Sequence, residues 1–173
     1  GYRKKSIRIK TSKGKLYKGL RTFNLIAPKY PEHLNNYLGY RLAADMGLIA
    51  PDSRLVRVNI NGEDQGVHIL VEQLKELTLR RNNLMPADIY RGELIGRHSF
   101  DGATVDSLFF SATAWDKIST NNHYDLESNA PMEKLIEIVK SRHTELTQKS
   151  LAEILDLEAW GKFSAFEALT QNY

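Results

Sequence analysis

Arg54-Leu-Val-Arg-Val-Asn-Ile-Asn-Gly-Glu-Asp-Gln-Gly-Val-His-Ile-Leu-Val-Glu72 is the stretch that decides the fold. From Arg54 to Ile60 the residues alternate, with Val56, Val58 and Ile60 facing one way and Arg57 and Asn59 the other. A strand with one buried face reads in this way, because successive side chains point to opposite sides. Asn61-Gly62 then supplies the two positive-φ positions of a tight hairpin turn. Gly66 to Glu72 is apolar enough to be the returning strand. The stretch is therefore an antiparallel strand pair.

Working backward, Ala50-Pro51 marks an exit into extended chain. Before it, residues 31–48 carry Leu34, Leu38, Leu42 and Met46 at four-residue steps, and Tyr37, Ala43 and Ala44 widen the stripe. That spacing predicts a helix, with Pro31 in its first turn and Gly47 at its C-terminal end. Ser6 to Lys10 alternates again, and Ser12-Lys-Gly-Lys15 is a turn signal. The segment from Leu16 to Ile26 returns, with Leu20, Phe23, Leu25 and Ile26 available for a core. Pro28 and Pro31 end this first hairpin.

Working forward, residues 73–83 read as a short polar helix or linker, and residues 88–94 as a further strand. Residues 96–129 mix Gly, Ser, Thr, Asn and Asp around Leu108-Phe-Phe110 and Trp115, which reads as loops with one short helix. Two helices are expected to close the chain. One spans residues 131–143, with Met132, Leu135, Ile136 and Val139 on one stripe. The other is capped by Asp156 and carries Leu157, Trp160, Phe163, Phe166 and Leu169. The last helix is so apolar that it reads as a central core helix, and further chain is expected to follow it. The whole is an α+β arrangement. A mixed or antiparallel sheet lobe with one packed helix spans residues 1–74, and a linker and mainly helical part spans residues 75–173.

Composition narrows the function classes. The 173 residues include no cysteine, which excludes disulfides, thiolate-bound zinc and thiol nucleophiles in this sequence. There is no apolar run of membrane-spanning length and no signal-peptide pattern at the start, although a removed leader stays compatible with a chain that opens in structured sequence. The five histidines, His33, His68, His98, His123 and His143, have no metal-ligand spacing. Neither a P-loop nor a dinucleotide fingerprint occurs, and there is no serine-hydrolase elbow and no HRD or DFG set.

Charge is the suggestive feature. Residues 1–30 hold ten of the 24 Lys and Arg residues and none of the 21 acids. A basic segment on an otherwise acidic body suits an anionic partner: nucleotide phosphate, nucleic acid or an acidic surface. A solvated strand face is the plain alternative. In the general kinase plan, a lysine on a sheet strand holds the phosphates, and the adenine lies where the sheet lobe joins the helical lobe. Here that junction would be Glu72-Gln73-Leu74.

Several segments together resemble the CotH (spore coat protein H-like) family of atypical protein kinases. Arg3-Lys-Lys-Ser-Ile-Arg-Ile-Lys10 is similar to its basic strand, and Leu16-Tyr-Lys-Gly-Leu-Arg-Thr-Phe-Asn-Leu25 to its return. Leu34-Asn-Asn-Tyr-Leu-Gly-Tyr40 followed by Gly47-Leu-Ile-Ala-Pro51 is similar to its helix and exit. The block from Val56 to Gly62, with Gly66 and Val71-Glu-Gln73, is the most specific part. Asp88-Ile-Tyr90 resembles a further segment, and Leu157 to Asn172 resembles the helix leading to the catalytic region. The resemblance covers residues 3–90, passes over residues 91–150 and resumes at residues 155–172.

That resemblance implies a kinase-like fold truncated before its catalytic part. It implies ATP and Mg as cofactors and transfer to Ser or Thr of a coat or cell-surface protein. It also implies an exported, cell-surface or spore-coat location. Lys5 or Lys10 would be the phosphate-binding lysine, with Lys5 preferred. Glu72 would pair with that lysine or sit where the chain passes the adenine; a plain strand-end carboxylate is the other reading. The acids implied for base and metal roles fall after Tyr173, so no catalytic residue is assigned and phosphoryl transfer is not expected of this polypeptide by itself. Two other readings stand beside it. One is a non-catalytic structural or adhesive domain of the same family. The other is a nucleic-acid-binding module, weakened because few aromatics interleave with the basic residues.

Overall fold

The computed structural model describes residues 4–92, 108–118, 129–141 and 144–170. The chain divides into two compact units. The first comprises residues 1–82 and 161–173, and the second residues 83–160.

The first unit is built on a four-stranded antiparallel sheet. Its strands are β1 (Ile7–Lys10), β2 (Thr22–Ile26), β3 (Ser53–Ile60) and β4 (Glu63–Glu72), in the order β1-β2-β4-β3. The β3–β4 hairpin closes as its sequence predicts, with Asn61 at φ 51° and Gly62 at φ 86°. Both are the left-handed conformations that a two-residue turn needs. The ladder slips by one residue between Val58 and Asn59, where Gly66 takes φ 75°. The β1–β2 connection holds two tight turns. One is closed by the Lys15 amide on the Ser12 carbonyl (3.1 Å), the other by reciprocal 2.9 Å bonds between Tyr17 and Leu20.

Register sorts the side chains. Ile9 pairs with Phe23 and Phe23 with Glu72, while Ile7 pairs with Leu25 and Leu25 with Leu70. These residues share one face, and Leu20, Phe23, Leu25 and Leu70 form its buried cluster with Ile9, Val56 and Val58 against it. Ile69, Val71 and Ser53 lie on the other face and are also buried. The sheet is therefore closed on both sides at its centre.

Helix α1 (His33–Asp45) packs against β3. It ends at Gly47 (φ 77°), where the Leu48 amide reaches the Ala43 carbonyl (2.9 Å) and the Gly47 amide that of Ala44 (3.0 Å). This is a Schellman termination, and it requires the left-handed residue. The buried residue of α1 is Ala43, half a turn from the leucines. Leu34, Leu38 and Leu42 are exposed. A short helix α2 (Glu76–Arg81) follows β4.

The second unit contains β5 (Tyr90–Gly92) and β6 (Trp115–Lys117), paired antiparallel, two single 3₁₀ turns at Leu108–Phe110 and Ala112–Ala114, α3 (Ala130–Lys140) and α4 (Thr144–Ile154). Gly92 lies beneath Leu108 and Trp115; a Cβ there would come within 2.9 Å of the leucine. Much of the expected loop region 96–129 lies outside the described residues. The final helix, α5 (Leu157–Thr170), begins as expected, with the Ala159 amide bonded to the Asp156 carboxylate (3.0 Å).

Two expectations are corrected. Among the described residues three helices close the chain, not two, since Thr144–Ile154 is helical as well. And α5 is not a core helix. None of its residues is buried, and Leu157, Trp160, Phe163 and Leu169 are exposed. Its Phe166 approaches Gly39 of α1, where a Cβ would stand 3.9 Å from the ring.

Candidate functional site: a buried carboxylate at the end of the sheet

Glu72 is the last residue of β4 and is 5% exposed. A buried carboxylate must be neutralised or saturated with donors, since desolvation disfavours its charge. Three groups supply them. The Asp52 amide donates to Oε2 (3.0 Å), and the Thr78 hydroxyl to Oε1 (2.9 Å). The Arg81 guanidinium forms an ion pair with Oε2. The Glu72 amide in turn donates to the Asp52 carbonyl (2.8 Å). Thr78 is 1% exposed, and its oxygen also accepts the Lys75 amide (3.1 Å), so both of its hydrogen-bonding roles are used. Arg81 lies one turn from Thr78 on α2, which is why one short helix delivers both donors to the same carboxylate.

Asp52 extends the node. Its carboxyl group is held below the ordinary carboxylate range, chiefly by hydrogen bonding from Arg54 (2.9 Å at Oδ1), with the charges of Arg54, Arg81 and Arg41 assisting against partial burial. A groove of about 310 Å³ opens beside the node, bordered by Tyr40, Arg41, Asp52, Ser53, Arg81 and Asn82.

The expected pairing of Glu72 with a lysine of the first strand is not formed. Its carboxylate is committed to Arg81, Thr78 and Asp52. Lys10 neighbours Ile9 on β1 and so lies on the opposite face of the sheet from Glu72. Lys5 precedes β1 and is exposed, as is Lys10. The structure therefore does not gather Lys5, Lys10 and Glu72 into one constellation. The partners that matter, Thr78 and Arg81, fell in a segment that reads as a short polar helix or linker, and α2 forms there. A Glu followed six and nine residues later by Thr and Arg is too common a pattern to single out.

A second ion pair lies in the other unit. Lys117 of β6 reaches Asp88 (3.1 Å), with side chains 3% and 15% exposed. Tyr90, beside it on β5, has its phenol pushed up by burial and by the nearby Asp88 carboxylate. Among the described residues no three His, Asp or Glu side chains gather as a metal-ligand set, and no helix is long and apolar enough to cross a membrane.

The CotH kinase protein family model matches residues 1–173. The chain belongs to that family. The inner spore coat protein H of Bacillus subtilis (strain 168) is 28% identical over 90 residues. Those residues are 51% of this chain but only 25% of that protein, so this CotH-family chain spans about a quarter of the relative it matches.

Proposed function

We propose that this chain forms the nucleotide-holding part of an ATP-dependent protein kinase, acting on Ser or Thr of a coat or cell-surface protein within a polypeptide that continues beyond Tyr173. The observation that carries the reading is the family match along the whole chain to CotH kinase protein. In this proposal Lys5, with Lys10 as the alternative, meets the phosphates. Both are exposed, and neither forms an ion pair with a described acid, so their charge is available to a strongly anionic group. Fixed cations stabilise the phosphates and the charge that shifts between them during transfer. Glu72 acts by position: its buried bonds hold the end of β4 and the start of α2, and so fix residues 72–74, where the adenine would lie.

Two exposed lysines suit phosphate by their charge alone, and the described residues supply no ligand set for Mg²⁺, so no step is assigned through the metal. A spore-coat location follows the name of the relative and is part of the same proposal. That name also favours a second reading, a coat component without catalysis.

Calorimetry separates them. A polypeptide extended past Tyr173 is expected to bind ATP in the presence of Mg²⁺, and Lys5→Ala to weaken that binding severalfold. No heat of ATP binding by the unmodified extended polypeptide would sink the kinase reading and leave the structural one.

A further inference from the structure

The groove beside the Glu72 node holds more positive charge than the node consumes. Three arginines and two acids meet there: Arg41, Arg54 and Arg81 against Asp52 and Glu72. Arg54 grips both oxygens of Asp52, and Arg81 takes Glu72. One positive charge is left over, that of Arg41. This residue stands on α1, borders the groove and forms no hydrogen bond or ion pair among the described residues. Asp45, one turn further along the helix, does not pair with it.

Donors are left over as well. A guanidinium carries five N–H groups. The Arg81 side chain donates from Nη2 alone, to Glu72 and to the Ala50 carbonyl (3.4 Å). Its Nε and Nη1 meet no acceptor among the described residues. Ser53, the first residue of β3, borders the same groove and is 6% exposed. Its hydroxyl makes no hydrogen bond among the described residues, and neither does that of the half-buried Tyr40 at the rim. Buried polar groups are ordinarily paired, so a spare hydroxyl in the wall of a groove points to a ligand atom.

The two acids are already committed, and what the groove offers is donors and a net positive charge. Guanidinium forks from two different helices, with a hydroxyl between them, suit a tetrahedral oxyanion. The groove's volume of about 310 Å³ lies at the low end of small-molecule sites, about 300–1,000 Å³. It has room for a phosphate and the few atoms that carry it.

We propose that the groove bounded by the end of α1, the start of β3 and the end of α2 binds a phosphate group, held by Arg41 and Arg81 with the Ser53 hydroxyl as a further donor. This inference does not rest on the nucleotide reading, whose lysines lie elsewhere in the chain.

The test is an amide NMR titration, at low salt, of the polypeptide extended past Tyr173. The probes are inorganic phosphate and N-acetyl-phosphoserine amide; N-acetylserine amide and acetate are the comparators. The signals of Gly47, Ser53 and Asn82 are expected to move with both phosphate probes and with neither comparator. Tighter binding of the phosphoserine probe assigns the phosphate to a modified side chain; equal or tighter binding of inorganic phosphate assigns it to a free one. Arg41→Gln is expected to weaken binding about tenfold, as the loss of one charge-assisted contact implies. Ser53→Ala loses no hydrogen bond of the described protein and is expected to weaken binding about threefold. A groove filled by the polypeptide's own chain would leave these signals unmoved, and that result overturns the proposal. An equal response to acetate, movement confined to Lys5 and Lys10, or an unchanged affinity in Arg41→Gln would each overturn it as well.

Discussion

Replacing Arg81 by Met removes the charge that faces Glu72 and keeps most of the side-chain stem. The Glu72 carboxylate is 3% exposed and cannot turn to solvent without breaking the end of β4. Breaking a buried ion pair from one side costs about 3–5 kcal/mol, because the remaining charge is stranded. Arg81 itself is 35% exposed, so water reaches one side of the pair, and the Thr78 hydroxyl and Asp52 amide remain as donors. The expected loss is therefore about 2–3 kcal/mol, below that range because of this residual solvation. With a urea dependence of about 1–3 kcal/mol per molar, the unfolding midpoint should fall by about 1–2 M. The double change Glu72→Gln with Arg81→Met removes the stranded charge and should recover more than about 1 kcal/mol of the loss. Equilibrium urea unfolding followed by circular dichroism measures all three variants. A single-variant loss below about 0.5 kcal/mol, or a double variant no better than Arg81→Met alone, would refute the claim that this carboxylate is held as a buried anion.

Other consequences are equally direct. Lys117→Met should destabilise the second unit by about 1–3 kcal/mol, since it removes the buried cation from Asp88 while the Tyr90 hydroxyl stays beside that carboxylate; Trp115 fluorescence in a Trp160→Phe background reports it. Gly47→Ala should cost about 1–2 kcal/mol, because a Cβ at φ 77° meets the following carbonyl in the left-handed conformation, and thermal unfolding reads this. On the acid side, Asp64 is pulled down to about 2, first by its bonds from Arg57 and then by the Gly66 amide, and Asp52 is lowered by Arg54. Both groups are lower when folded than when unfolded, so their contribution is complete above the unfolded carboxylate value of about 4 and is lost as pH falls toward 2. Urea midpoints measured across that window should fall for the parent chain and fall less for Asp52→Asn.

How much of this was legible depends on the kind of signal. The β3–β4 hairpin was fully legible, because Asn61-Gly62 dictates a turn and a period of two dictates faces. Gly47 fixed the end of α1 for the same local reason, as Asp156 fixed the start of α5. Glu72 was visible as a residue of interest, but its partners were not. Pairing across six and nine residues depends on where α2 lands after β4, and that is a tertiary outcome. Residues 144–154 do carry apolar residues at helical spacing, Leu151 and Ile154 with Leu155 beyond them, so α4 was legible and was passed over.

The leucines of α1 show where pattern reading stops. A stripe at four-residue steps tells which residues share a face; it does not tell which face meets the sheet. In this chain the residue of α1 that turns inward is Ala43. Ala43 is 8% exposed, whereas Leu38 is 59% exposed. Ala43 is the buried residue of the helix, and the leucines are left outward beside Arg41 and Asp45. The consequence separates two substitutions that the sequence would rank the other way. Leu38→Lys should change stability by less than about 0.5 kcal/mol, as an exposed position does. Ala43→Leu should cost about 1–3 kcal/mol, as enlarging a buried side chain does. Thermal unfolding of the two variants decides between an inward and an outward leucine face, and a larger loss from Leu38→Lys would mean that the stripe is covered in solution.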